Sequence, residues 1–170
     1  MSGIEAWLDG PVEGVPPLLM PVAHALIQTH QDLEGATTDL TVDEVWTRPG
    51  GAASVGFHLR HIAGSTDRLL TYALGDPLAP DQIAAIKLEG TPGAPPASAK
   101  ELLASVARAV DAALAVLRET PAEQLLEFRG VGKAQRPSDV IGLCRHAGQH
   151  GRLHVGDDAT PASVLRGRSG

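Results

Sequence analysis

The sequence predicts a single all-α domain, residues 1–170, folded as a four-helix bundle with a long crossover between the second and third helices. Four segments carry apolar residues at three- and four-residue spacing, the period of a helix that buries one face. Nowhere do apolar and polar residues alternate over a run long enough to require a sheet. Amphipathic helices joined by connections of unequal length favour a bundle, and a chain of 170 residues can bury a sizeable core.

The first two helices are predicted over residues 16–34 and 54–74. Apolar residues from Leu19 to Leu33 keep helical spacing in the first, and Ser54 is a suitable N-cap for the second. Between them, residues 41–44 (Thr-Val-Asp-Glu) have the form of a capping box and predict a short helical turn. Glycine and proline at residues 75–77 end the second helix.

The crossover and the last two helices follow. Residues 76–97 are rich in proline and glycine, so they predict a surface connection in which only residues 81–88 are helical. Ser98 and Glu101 form a second capping box, and the clearest apolar stripe of the chain continues from there to Leu117. The fourth helix is expected to begin after Ser138 as N-cap and to run to about Asp158.

Composition excludes several classes of protein. A net charge of -6 with five aromatic residues argues against a nucleic-acid partner. The N-terminal residues lack the pattern of a secretory signal. The longest apolar stretch, residues 15–27, contains prolines and is shorter than the roughly 20 residues of a membrane span, so no membrane partner is expected.

Cys144 is the single cysteine, which rules out an internal disulfide and favours a cytoplasmic protein. Its position on the helix favours a small buried side chain over a nucleophile.

Histidines are the most informative residues. His146, His150 and His154 recur at four-residue spacing and therefore stand along one stripe of the fourth helix. Imidazoles one turn apart can chelate a divalent metal together, and a third ligand should come from a neighbouring helix, where both His58 and His61 are available. Three histidines leave coordination positions open, as in catalytic metal sites. Spacing does not select among zinc, nickel, iron and manganese. Isolated histidines such as His24 and His30 are expected to be ordinary bundle residues.

Two of these segments resemble motifs of the DinB superfamily of small four-helix-bundle proteins. Ser54-Val-Gly-Phe-His58-Leu-Arg-His61 is similar to the family segment that ends in a histidine, and His150-Gly-Arg-Leu-His154-Val-Gly156 to its histidine-x-x-x-histidine-x-glycine. The resemblance implies His61, His150 and His154 as metal ligands, with His58 and His146 outside the triad. Asp157 stands where the family commonly has glutamine, which affects the rim of the site. Asp67 projects away from His61 on an ideal helix and is not expected to be a ligand. Asp157 and Arg152 are candidates for substrate contacts only because they lie near the histidines in the sequence.

The resemblance also implies a metal-dependent enzyme. The better-understood relatives are S-transferases and isomerases that use a low-molecular-weight thiol such as bacillithiol or mycothiol, so the expected partners are a small-molecule substrate, this thiol, and a second copy of the chain in a homodimer. A metal-dependent hydrolase keeps the same triad but usually needs a nearby general base, and no carboxylate can be placed beside the triad from the sequence. A third hypothesis is a bundle without catalysis that binds a metal or ligand, or that dimerises.

Overall fold

Four long helices pack around one apolar core and confirm the predicted all-α bundle. The computed structural model describes the backbone of residues 5–167 and the side chains of residues 5–154. In chain order its α-helices are α1 Met20–Thr37, α2 Val42–Trp46, α3 Val55–Ala73, α4 Pro80–Leu88, α5 Ala99–Glu119 and α6 Val140–Gly167. Short 3₁₀ turns cover Ala6–Leu8, Pro17–Leu19, Pro49–Gly51 and Ala122–Gln124. None of the described helices is both long enough and apolar enough to cross a bilayer.

The predicted N-caps hold at three places and fail at one. The first helix begins at Met20, after a 3₁₀ turn, rather than at residue 16. Ser54 accepts a hydrogen bond from the Phe57 amide, and the capping boxes that begin at Thr41 and Ser98 are both formed. Ser138 does not cap the last helix, because the strand that contains it continues through Asp139 and the helix begins only at Val140. The Asp139 carboxylate accepts a hydrogen bond from the amide of Gly142 at 2.7 Å. The backbone of α6 also continues to Gly167, beyond the predicted end at Asp158.

A small β-hairpin precedes α6 and was not expected. Strand β1, Phe128–Val131, pairs antiparallel with β2, Arg136–Asp139. Each strand has only four residues, and Pro137 lies within the second, so no alternating pattern predicts the hairpin. It connects the end of α5 to the helix that carries the histidine stripe.

Helix α6 lies between α1 and α3 in the bundle, and α5 lies between the same two helices on the other side. Glycines on α6 permit a close approach to α1. A methyl group at Gly148 would come 3.2 Å from the Ala25 side chain, and one at Gly151 would come 3.0 Å from Thr29. The opposite side of α6 faces α3, which carries His58 and His61, the two candidates for the third ligand.

The crossover between α3 and α5 is long, as predicted. Trp46 packs on Gly56 near the start of α3 and donates from its indole nitrogen to the carbonyl of Ala97 at 2.8 Å, just before α5 begins. Both helices therefore start beside Trp46 and run parallel, which only a long connection allows. Of the described side chains between Ala73 and Ala99, Glu89 alone is buried.

Candidate metal centre

Three histidines from two helices come together at the interface of α3 and α6. His61 comes from α3, and His150 and His154 come from successive turns of α6; their ligand-capable nitrogens all lie within 4.8 Å of one another. Leu59 and Ile62 are almost fully buried and fix the rotation of α3, so His61 points toward α6. The residues that the DinB resemblance implies as a triad are thus adjacent in space, and they are close enough to hold a metal ion.

The three rings meet largely edge to face. Nε2 of His61 lies 2.9 Å from Nε2 of His150, and the centroids of His150 and His154 are 4.6 Å apart. In a tetrahedral site with bonds of about 2.0–2.1 Å, two nitrogen ligands stand roughly 3.3 Å apart. Small side-chain rotations would therefore bring the nitrogens to coordination distances.

The electrostatics of the cluster favour neutral imidazole. The pKa of His150 is lowered to about 4, chiefly because burial disfavours the charged ring, and further because His154, His61, His146 and Arg68 would repel an added positive charge. His150 is accordingly neutral at pH 7 and keeps a lone pair. Metal ligation by histidine requires this form.

Glu89 supports His61 from the side away from His150. Its Oε2 lies 2.8 Å from Nδ1 of His61, and Nη1 of Arg68 lies 2.9 Å from its Oε1 as an ion pair without hydrogen-bond alignment. With Nδ1–H donating to the carboxylate, Nε2 of His61 presents a lone pair toward His150. The sequence provided no signal for Glu89, because it follows a short helix in a proline-rich crossover and shares no spacing with the histidine motifs.

Two further histidines, His58 and His146, contact the cluster without belonging to it. His58 is buried, and its Nδ1 lies 3.1 Å from Nδ1 of His154, so one of these nitrogens donates to the other. His146 is exposed and stacks on His150 with a centroid distance of 5.3 Å. Neither histidine belongs to the group of three whose ligand-capable nitrogens come together.

A pocket of about 290 Å³ opens beside His150. Much of its wall is apolar, and its polar lining includes a tyrosine, a serine and two histidines; the lining residues are Ser65, Arg68, Leu69, Tyr72, Leu78, Ile86, His146 and His150. A small molecule in this pocket would lie next to the three-histidine cluster.

Other residues singled out from the sequence lie elsewhere. Cys144 is fully buried, and burial raises the pKa of its thiol to about 11, so it behaves as the small apolar side chain that was predicted. Asp67 accepts a hydrogen bond from Gln82 rather than facing the cluster. Arg152 pairs with Asp32. The side chain of Asp157 lies outside the described residues.

Fold and site together define a helical-bundle protein with a cluster of three histidines suited to a divalent metal. The chain belongs to the DinB superfamily, whose family model matches residues 25–157. The match includes α3 and the part of α6 that carries the histidines. No curated protein matches the chain.

Proposed function

We propose that this chain is a metal-dependent enzyme in which His61, His150 and His154 bind a divalent ion and a low-molecular-weight thiol attacks an electrophilic substrate. The observation that carries the proposal is the convergence of three imidazoles from α3 and α6 beside a pocket that His150 itself lines. Membership in the DinB superfamily supports it, since the resemblance implies a metal-dependent thiol S-transferase.

The donor set fits a divalent ion of intermediate softness. All three candidate ligands are imidazoles, which suit zinc, nickel and iron. Three protein ligands leave a coordination position open, as catalytic sites require. When bound, the ion would lower the pKa of a thiol that reaches it, so that a thiolate is available at neutral pH.

The contacts of the protein favour thiol transfer over hydrolysis. A hydrolase needs a general base near the open coordination position, but Glu89 faces the Nδ1 side of His61 and is also paired with Arg68. Cys144, the single cysteine, is buried, so the protein does not supply the thiol. In the proposed step the sulfur of the cosubstrate forms a bond to the electrophilic carbon, and the leaving group departs with its electron pair.

The first test is the metal content of tag-free protein purified without chelator. We expect about one ion per chain in the wild type and none in a folded His150→Ala/His154→Ala variant. His30→Ala is the matched control, because His30 lies in a groove between α1 and α5 and should leave the metal content unchanged. Absence of a bound ion, together with no uptake of zinc, nickel, iron or manganese, would exclude the metalloenzyme and leave a binding or dimerisation module.

The second test separates transferase from hydrolase. Metal-loaded protein is offered bacillithiol, mycothiol or glutathione together with a reactive aryl halide, and the thioether product is measured. We expect formation that depends on both thiol and metal and that is lost in the double variant. Ester or amide hydrolysis without thiol would instead favour the hydrolase. Sedimentation of the same samples tests the homodimer that the family resemblance implies.

A further inference from the structure

The crossover is fastened to α3 by polar contacts around Glu89. Every side chain of α4 is exposed or half-buried, whereas Glu89, directly after it, is 6% exposed. A buried carboxylate is costly unless it is paired and hydrogen-bonded. Glu89 meets this requirement through two side chains of α3, His61 and Arg68.

Two features of α3 place Glu89 against His61. Arg60 precedes His61 and donates from its guanidinium to the carbonyls of Leu88, Thr91 and Pro92, which holds the backbone on both sides of Glu89. Gly64 leaves room for the ion pair, since a methyl group there would come 2.7 Å from Nη1 of Arg68 and 3.1 Å from Oε1 of Glu89. Arg60 therefore holds the backbone around Glu89, and both carboxylate oxygens of Glu89 have a partner on α3.

We infer that Glu89 is the positioning residue of the metal centre: it holds His61 in the Nδ1–H tautomer, with Nε2 directed at the ion, and Arg68 holds Glu89. The inference rests on the proposed function. A carboxylate on the outer nitrogen of a ligating histidine fixes its tautomer and ring orientation, and loss of such a partner typically weakens metal affinity about 10- to 100-fold. The crossover then supplies an essential part of a site whose ligands all lie on α3 and α6.

A purely structural ion pair is the competing explanation, and the chain contains a matched control for it. Asp67 on α3 accepts a hydrogen bond from Gln82 on α4 at 2.6 Å, so it also fastens the crossover to α3 but contacts none of the clustered histidines. Asp67→Ala removes that link without touching His61. Zinc affinity therefore separates the two explanations.

The experiment measures zinc dissociation constants by chelator competition for the wild type, Glu89→Ala, Glu89→Gln and Asp67→Ala. We expect Glu89→Ala to bind zinc about 10- to 100-fold more weakly and Asp67→Ala to match the wild type. Glu89→Gln keeps an oxygen that accepts from Nδ1–H, so it should bind zinc more tightly than Glu89→Ala. Equal losses in Glu89→Ala and Asp67→Ala, or no loss in Glu89→Ala, would overturn the inference.

A second measurement needs no variant and no metal. Nitrogen-15 NMR of the metal-free wild type reports the tautomer of His61, and we expect the proton on Nδ1. A proton on Nε2 would overturn the inference whatever the affinities are. A wild type that takes up no zinc contradicts the proposed function, whereas a wild type that binds zinc with an unaffected Glu89→Ala contradicts the positioning role alone.

Discussion

Nε2 of His61 and Nε2 of His150 lie 2.9 Å apart although the two residues are 89 positions apart in the chain. The contact joins α3 to α6. A metal bound there would crosslink the two helices, so binding and folding should be coupled.

Zinc is therefore expected to stabilise the folded chain. A ligand that binds only the native state at 1,000 times its dissociation constant adds about 4.1 kcal/mol to the free energy of unfolding. Urea unfolding with and without zinc measures this gain. The gain should persist in His30→Ala and vanish in His150→Ala/His154→Ala; an equal gain in both variants would place the ion elsewhere.

Gly64→Ala should weaken zinc binding without touching a ligand. The new methyl group would come 2.7 Å from Nη1 of Arg68, so the guanidinium must move and leave Glu89 less well held. We expect zinc affinity to fall about 10-fold, the lower end of the loss seen when a ligating histidine loses its hydrogen-bond partner. Gly35→Ala on α1 is the control, because its methyl group meets no atom within 4 Å. Chelator competition that ranks the two variants equally would contradict this expectation.

Gly151→Ala should lower the stability of the bundle. Its methyl group would come 3.0 Å from Cγ2 of Thr29, a side chain that is only 2% exposed. Overpacking of this kind typically costs about 1–3 kcal/mol. Urea unfolding of the metal-free variant gives the value. In Gly35→Ala the same substitution adds helix propensity without a clash, so its stability should not fall.

Metal-free protein should lose stability as the pH falls from about 6.5 to about 4. The pKa of His150 is lowered in the folded state to about 4 from its ordinary value of about 6.5. Below pH 6.5 the unfolded chain binds a proton at His150 that the folded chain does not bind until the pH approaches 4. The contribution of His150 to the free energy of unfolding is therefore complete above pH 6.5 and is lost as the pH approaches 4. His150→Gln should show a shallower decline over the same interval in urea titrations. Identical slopes would contradict the lowered pKa.

Cys144 should not react with thiol reagents in the native protein at pH 7.5. Its side chain is fully buried and the pKa of its thiol is raised to about 11, so neither access nor thiolate is available. Labelling with Ellman's reagent should appear only on unfolding. Cys144→Ala should keep its metal and its thiol-transfer activity; a loss of activity in a folded, metal-loaded variant would make Cys144 part of the chemistry.

The helices and most of their starts follow from local patterns. Ser54, Thr41 and Ser98 act within three residues of themselves, so a capping motif is sufficient to predict them. The start of α6 was wrong, since pairing of Ser138 in β2 depends on β1, a separate segment of the chain. Strand pairing with a separate segment therefore overrides the local preference of Ser138 for a helix N-cap.

The sequence by itself determined the bundle and the stripe of His150 and His154, because helical period fixes which side chains share a face. The spacing of the histidines did not decide whether His58 or His61 is the third ligand, and the family resemblance selected His61. Only the tertiary structure decided that His61 joins the cluster while His58 faces His154, since this depends on how α3 is rotated against α6. The tertiary structure also decided the place of Glu89, because the path of the crossover brings this residue next to His61. No local sequence pattern encodes a contact between segments so far apart in the chain.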